Sequence, residues 1–183
     1  MTDSSASALR VRRVRADELE LVRALRLEAL DDPAASIAFL DDAADAARRP
    51  DAFWIDRAAG AAAGDAAAQF VAEDAAGSLV GTATVLRRPA GATDHLGQVL
   101  DASRSDVVGV YVAPSARGSG LIDALLDVCA DWARSHGDAA LTLDVHVDNA
   151  RAEAAYARNG FARTGVETTE PIGDERELRR ALR

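Results

Sequence analysis

Apolar residues recur along the chain at two periods, about two and about three and a half residues, and each change of period marks a boundary between elements. Leu9, Val11 and Val14, interleaved with arginines, predict an opening strand. Asp17 then reads as the cap of a helix running to about Leu30, with Leu21, Leu25 and Ala29 along one face and Glu18 and Glu20 in its first turn. Asp31, Asp32 and Pro33 stop it. Two Ala-rich helical segments follow, near 36–48 and 51–62, with Phe39, Leu40, Phe53 and Trp54 as their buried faces and Gly64 and Asp65 as the break. Such helices often line a substrate cleft. Ala67–Glu73 and 79–86 read as strands, joined through Gly77 as a hairpin. Residues 87–105 carry Pro89, Gly91, Asp94, His95 and Gly97 with little periodicity, which predicts a long mobile or substrate-contacting loop. His95 is a candidate base there, with a solvated loop histidine as the alternative.

Residues 107–112, VVGVYV, form a short apolar strand that runs into a tight turn with Pro114, Arg117, Gly118 and Gly120. A helix follows. Leu121, Leu125, Val128 and Trp132 fall on one face, while Asp123, Asp127, Asp131 and Arg134 fall on the other, and Gly137 ends it. Leu141, Leu143, Val145 and Val147 then alternate with Thr142, Asp144 and His146, predicting a strand with one apolar face. Asp148 or Asn149 caps a short helix that stops at Asn159 and Gly160, and Phe161 resumes an extended segment. At 175–182 periodicity alone fits strand and helix equally. No repeat or linker divides the chain, so it reads as one α/β domain.

At 183 residues the chain can bury a sizeable core. Residues 1–8 are rich in Ser, Ala and Thr without a basic head or apolar stretch, so they read as a disordered tail preceding a domain at 9–183. No apolar run is long enough to span a bilayer. The formal net charge of −9 argues against nucleic acid or an anionic membrane as partner. It would suit a cationic amine, although dispersed surface acid serves solubility equally. Cys129 is the single cysteine, which excludes a disulfide framework and a cysteine metal site and suggests a small core filler in a reducing cytoplasm.

The apolar strand, glycine-bearing turn and helix at 107–132 carry the candidate chemistry. Backbone N–H groups at a helix start form an anion site, and glycine lets a phosphate approach them. Arg117 adds a planar fork of donors. An ordinary strand–turn–helix connection is the alternative. No Gly-Lys-Ser/Thr follows, so this is not a Walker loop, and the three-glycine dinucleotide frame is absent.

The frame through Val112, Pro114, Arg117 and Gly120 resembles that of the GNAT superfamily, the acyl-CoA-dependent N-acetyltransferases. It departs at Ile122, where the family has Gly or Ala; a β-branched side chain there would crowd a pyrophosphate. A second stretch, through Val145, Asn149, Ala152, Tyr156 and Gly160, also resembles the family pattern and follows at the expected distance. Asn149, Ala152 and Tyr156 share one helix face, although an N-cap and a packed aromatic would account for the outer two singly.

The resemblance implies a mixed, mostly antiparallel sheet flanked by helices, with 175–182 as strand. It implies transfer of an acetyl group from acetyl-CoA to a primary amine by direct attack, without a metal. Val110 is the matching position for the backbone donor to the thioester oxygen. Val112 and the turn Arg117, Gly118, Ser119, Gly120, Leu121 and Ile122 would hold the pantetheine and pyrophosphate, and Asn149 the pantetheine arm. Tyr156 would protonate the departing thiolate. Asp106 matches a position where relatives often carry the general base, with a surface aspartate closing a loop as the alternative; Asp144 and His146 are further candidates. A small-molecule acceptor is preferred, and a homodimer is open because dimers are common in the family. A non-catalytic acyl-CoA-binding sensor or interaction module is the rival reading.

Overall fold

The alternating stretches assemble into one sheet in the computed structural model, which describes residues 9–94 and 97–182. The described residues form seven strands: β1 (Arg10–Arg13), β2 (Ala67–Glu73), β3 (Leu79–Arg88), β4 (Arg104–Val112), β5 (Ala140–His146), β6 (Ala162–Glu170) and β7 (Gly173–Ala181). Their order is β1-β2-β3-β4-β5-β7-β6. All neighbours run antiparallel except β4 and β5, whose parallel pairing covers only Ser105 with Leu141 and Asp106 with Thr142. The helices are α1 (Leu19–Leu30), α2 (Ala43–Arg48), α3 (Asp51–Ala63), α4 (Leu121–Ser135) and α5 (Ala150–Arg158). This is the expected mixed, mostly antiparallel sheet flanked by helices. The expected tail at 1–8 and His95 lie outside the described residues.

Strands β2 and β3 are buried on both faces, because α1, α3 and α4 all pack on them. Leu125, Leu126, Cys129, Ala130 and Ala133 of α4 have no solvent exposure. The buried stripe of α4 is therefore rotated from the expected one: Val128 and Trp132 are only half-buried. Small residues at 129, 130 and 133 let the helix lie flat on the sheet, which pushes the bulkier Trp132 to the rim, where it meets the His136 ring at 4.1 Å.

Other expectations about particular elements are corrected or settled. Glu18, not Asp17, holds the N-cap position of α1 without capping it through its side chain; its buried carboxylate instead accepts the Arg15 N–H at 2.9 Å and pairs with Arg12. The later start turns Val22 into the core in place of Leu21, which is 46% exposed. The segment near 36–48 is not one helix. A 3-10 turn at Ala35–Ile37 precedes α2, and the Asp42 carboxylate caps α2 by accepting the Asp45 N–H at 2.7 Å. Phe39 is buried between them, while Leu40 is 61% exposed. Strand β5 also lacks a wet face, since Thr142 and His146 are buried with Leu141, Leu143 and Val145; only Asp144 is exposed. An interior strand covered on both sides cannot keep a solvated edge. Residues 175–182 are strand because β7 finds partners on both sides.

The closed end of the β4–β5 pair is held by a buried polar cluster. Asp138, on the connection from α4 to β5, accepts the Ser105 hydroxyl at 2.6 Å and pairs with the Arg87 Nε at 3.1 Å. Arg87 also donates to the His136 carbonyl at 2.6 Å. Removing one member leaves the others desolvated without a partner, which is the expensive direction of change. Asp138→Ala should therefore lower the unfolding free energy by about 2–3 kcal/mol, read from urea denaturation at constant m-value. A midpoint equal to wild type would mean the cluster contributes nothing.

Candidate functional site

Beyond Asp106 and Thr142, β4 and β5 part, and the reason lies in β4 itself. On β3, Thr82 faces Tyr111 and Thr84 faces Val108, so Ala83 stands opposite two residues, Gly109 and Val110. That extra residue is a β-bulge, which bends a strand and re-aims its backbone. Gly109 takes a φ of +61°, a left-handed conformation that glycine reaches without a steric penalty. Val110 has no register partner on β3 or β5. The diverging strands enclose a cleft of about 770 Å³. Residues 107–112 line one wall, Asp144, Val145 and His146 the other, and the turn before α4 and one face of α5 complete it.

At the α4 end, Gly118 and Gly120 have φ of +79° and +80°, and no atom lies within 4 Å of where a Cβ would project from either. Gly120 is the N-cap of α4 and offers no side chain to its amides. The turn therefore presents open backbone at the positive end of a 15-residue helix. Leu121 is buried, and Ile122 is half-buried, packing on the core while also lining the cleft. Ser119 lies outside the cleft lining and turns its hydroxyl back to the Ala116 carbonyl at 2.7 Å. Arg117 lines the cleft with its guanidinium already engaged: Nε donates to the Val112 carbonyl at 3.0 Å and Nη2 pairs with Asp32. Burial opposes ionisation of Asp32, but the Ala34 N–H and Arg117 together hold its carboxyl below the usual range. Cationic side chains that the motif did not point to, Arg151 and Arg158, line the cleft from α5.

Asn149, Ala152 and Tyr156 share the α5 face toward the cleft, as the spacing predicts. Asn149 settles the choice of cap: its Oδ1 accepts the Ala152 N–H at 3.2 Å, and its Nδ2 reaches the Ile37 carbonyl at 3.3 Å. Tyr156 is buried with its ring 6.0 Å from that of Phe161, and its hydroxyl makes no hydrogen bond among the described residues. Burial pushes its pKa up to about 12. Tyr111, not singled out from sequence, donates to Glu28 at 3.1 Å; burial and that acceptor also push it up to about 12.

Two candidate bases are otherwise engaged. Asp106 sits where the strands still pair and does not line the cleft. Its carboxylate accepts from Thr142 at 2.6 Å and from Arg88 at 2.9 Å, so it belongs to the closed end. His146 does line the cleft, but the Asp148 N–H donates to Nδ1 at 3.1 Å. The ring proton then sits on Nε2 and goes to the Ile172 carbonyl at 3.0 Å, leaving no lone pair for an incoming proton. Asp144 lines the cleft from β5. The opposite end carries groups that sequence reasoning missed: Arg26 from α1, Arg57 from α3 and Asp41. For Arg57 the only signal was an arginine within an Ala-rich helix, and for Arg26 and Asp41 there was none. Among the described residues no His, Cys, Asp and Glu group could hold a metal, and no helix is long and apolar enough to cross a membrane.

Comparison with known proteins matches this architecture. The sequence profile of the acetyltransferase (GNAT) family matches residues 23–161. Streptothricin acetyltransferase from Streptomyces lavendulae is 38% identical over 79 residues, which are 43% of this chain and 42% of that protein. The match thus spans less than half the length of that curated relative. Among solved structures, a GNAT-family acetyltransferase from Streptococcus pneumoniae superposes with a TM-score of 0.74 at 18% identity, covering 96% of this chain and 100% of that one. A phosphinothricin acetyltransferase from Sinorhizobium meliloti, solved with acetyl-CoA, gives 0.70 at 18% identity over 95% and 88% of the two chains. At such identities these likenesses speak for the fold.

The tyrosines offer a direct check on the environment of the site. Both of the chain's tyrosines, Tyr111 and Tyr156, have pKa values pushed up to about 12. Below an unfolded value of about 10 neither state loses the proton, and the full stability is present. Between about 10 and 12 only the unfolded chain ionises, so stability falls as pH rises. Phenolate absorbance of the folded protein should stay low to above pH 11, with Tyr156→Phe removing about half the eventual rise. Titration of either phenol near pH 10 while the protein is folded would contradict the burial described.

Proposed function

The chain belongs to the acetyltransferase (GNAT) family, and from that premise we propose that it moves an acetyl group from acetyl-CoA to a primary amine by direct attack. The observation that carries this is the bulge at Gly109, which opens β4 from β5 in the same cleft that is lined by the start of α4 and by Tyr156. The residues fit the coenzyme: the Gly118 and Gly120 backbone is open where a Cβ would block a phosphate. Bound acetyl-CoA supplies a thioester carbon that a neutral amine can attack, with thiolate as leaving group.

The turn amides from Gly118 to Ile122 hold the pyrophosphate at the positive end of α4, with Arg151 and Arg158 adding positive charge. Arg117 acts less as a phosphate clamp than as a strut, tying the turn to Val112 and Asp32. Val110, at the bulge and without a register partner on β3 or β5, would supply the N–H donor to the thioester oxygen. Val112 and Asn149 flank the pantetheine arm. Asp106 is retained as a support of the closed end, and the exposed Asp144 accepts the amine's proton directly or through water. Tyr156 donates to the thiolate. Burial raises the phenol, and it disfavours a thiolate beside it in the same way, so the two basicities stay matched. A cytoplasmic location and a homodimer go with this reading as assignments to test.

The engagement of Asp106 and His146 favours one rival, a non-catalytic acyl-CoA-binding module. Two measurements separate the readings. Acetyl-CoA at a hundred times its dissociation constant should stabilise the protein by about 2.7 kcal/mol and raise Tm accordingly. Thiol release should occur with at least one amine, and Tyr156→Phe should lower kcat by about a hundredfold while leaving acetyl-CoA affinity unchanged, since the phenol acts only as the thiolate forms. Binding without release for every amine would establish the rival. No change in Tm at millimolar acetyl-CoA would remove both.

A further inference from the structure

The end of the cleft away from α4 has a charge opposite to that of the chain. Arg26, Arg49 and Arg57 gather around Asp41, which pairs with Arg49 at 2.8 Å and with Arg26 at 3.6 Å. Arg57 makes no hydrogen bond or ion pair with any described residue, and it is exposed on the cleft wall. Three guanidinium groups thus gather at one carboxylate that pairs with only two of them, in a chain whose formal charge is −9. Arg26 and Arg57, with Gly109, also line a small side chamber of about 20 Å³ together with Trp54, Gln69 and Thr84. That volume suits one water or one carboxylate oxygen. The Trp54 indole N–H is buried and has no acceptor among the described residues. A surplus of positive charge and an unmet donor converge beside the bulge. On the other wall, Asp144 and Glu175 line the cleft from β5 and β7.

We infer that the acceptor is an amine that also carries a carboxylate, with the carboxylate held by Arg57 and Arg26 and the amine directed to the Gly109 bulge between β4 and β5. The inference rests on the acetyltransferase reading and narrows it. An Arg fork meets a carboxylate in its own plane with two parallel hydrogen bonds, which a lone ammonium ligand could not use. Burial, and then the nearby charge of Arg57, makes the Arg26 guanidinium hold its proton less tightly than usual, so an anion between the two arginines relieves a standing cost. A polyamine would place a further positive charge against that surplus. Arg26 stacks on the Phe39 ring at 4.5 Å, which fixes its plane, and the exposed Leu40 gives an apolar side chain a surface to lie on. The acceptor class that fits is a small amino acid, its ammonium losing a proton toward the acidic wall before attack.

The test compares thiol release from acetyl-CoA for the twenty α-amino acids and β-alanine, their methyl esters and spermidine, with rates referred to the free-amine concentration. At least one acid should exceed its ester in kcat/KM by about tenfold or more, the scale of one charged hydrogen bond. Arg57→Ala should collapse that ratio, and Arg57→Lys should restore part of it; the exposed, unpaired side chain makes loss of folding an improbable confounder. Esters or spermidine matching the acids, or a ratio untouched by Arg57→Ala, would overturn the inference while leaving acetyl transfer standing. Where acetyl-CoA binds but no amine turns over, the Tm of the CoA-loaded protein with N-acetyl amino acids against their methyl esters reads the same preference. No difference there also overturns it.

Discussion

The feature on which the rest of the structure depends is the short pairing of β4 with β5. Two parallel positions are joined, and then a bulge at Gly109 turns β4 away. Backbone polar groups facing such a gap need water or a ligand, since a buried unpaired amide costs as much as a lost hydrogen bond. The gap therefore stays open to solvent or ligand, and it keeps its shape only while its apex stays shut. Asp138 with Ser105 and Arg87, and Asp106 with Thr142 and Arg88, hold that apex from both faces of the strand pair. Packing of α4 over β2, β3 and β4 keeps the sheet rigid behind it.

Charge follows the same division. At the α4 turn, Arg117 is offset by Asp32, so attraction for an anion there comes mainly from backbone amides and from the α5 arginines. Backbone donors fixed by a helix start need no reorganisation when a phosphate arrives. At the far end the balance reverses: Asp41 pairs with Arg26 and Arg49, and Arg57 adds a third positive charge beside them. The formal charge of the whole chain carries no information about this, because a net sum over a surface says nothing about the field inside one cleft.

What could be read from sequence was what local chemistry dictates. The boundaries of β2, the glycine stop of α4 and a cap at Asp148 or Asn149 each follow from neighbours within a few residues. The family frame pointed to the α4 end of the cleft for the same reason, since turn and helix start are contiguous in the chain. The misreadings are tertiary. Leu21 and Val22 differ by one position in a helix whose start was displaced by Arg12 reaching Glu18. Thr142 and His146 look polar and exposed until β7 closes over one side of β5. The bulge depends on a register between β3 and β4 that no stretch of either strand declares. Arg26 and Arg57 come together only because α1 and α3 touch.

The engagement of Asp106 has the same origin. Asp106 matches its expected position in the chain, but it falls on the paired side of the point where β4 and β5 separate. An acid at the apex is useful as a tie between strands, and Thr142 and Arg88 occupy both of its oxygens. Side chains two residues apart on a strand point to the same face. Asp144 therefore projects on the same side of β5 as Thr142, one step beyond the last paired position, where β4 has already turned away. A one-step displacement along the diverging strands converts a structural acid into one that faces the cleft. The point of divergence, more than residue type, decides which carboxylate can meet a substrate.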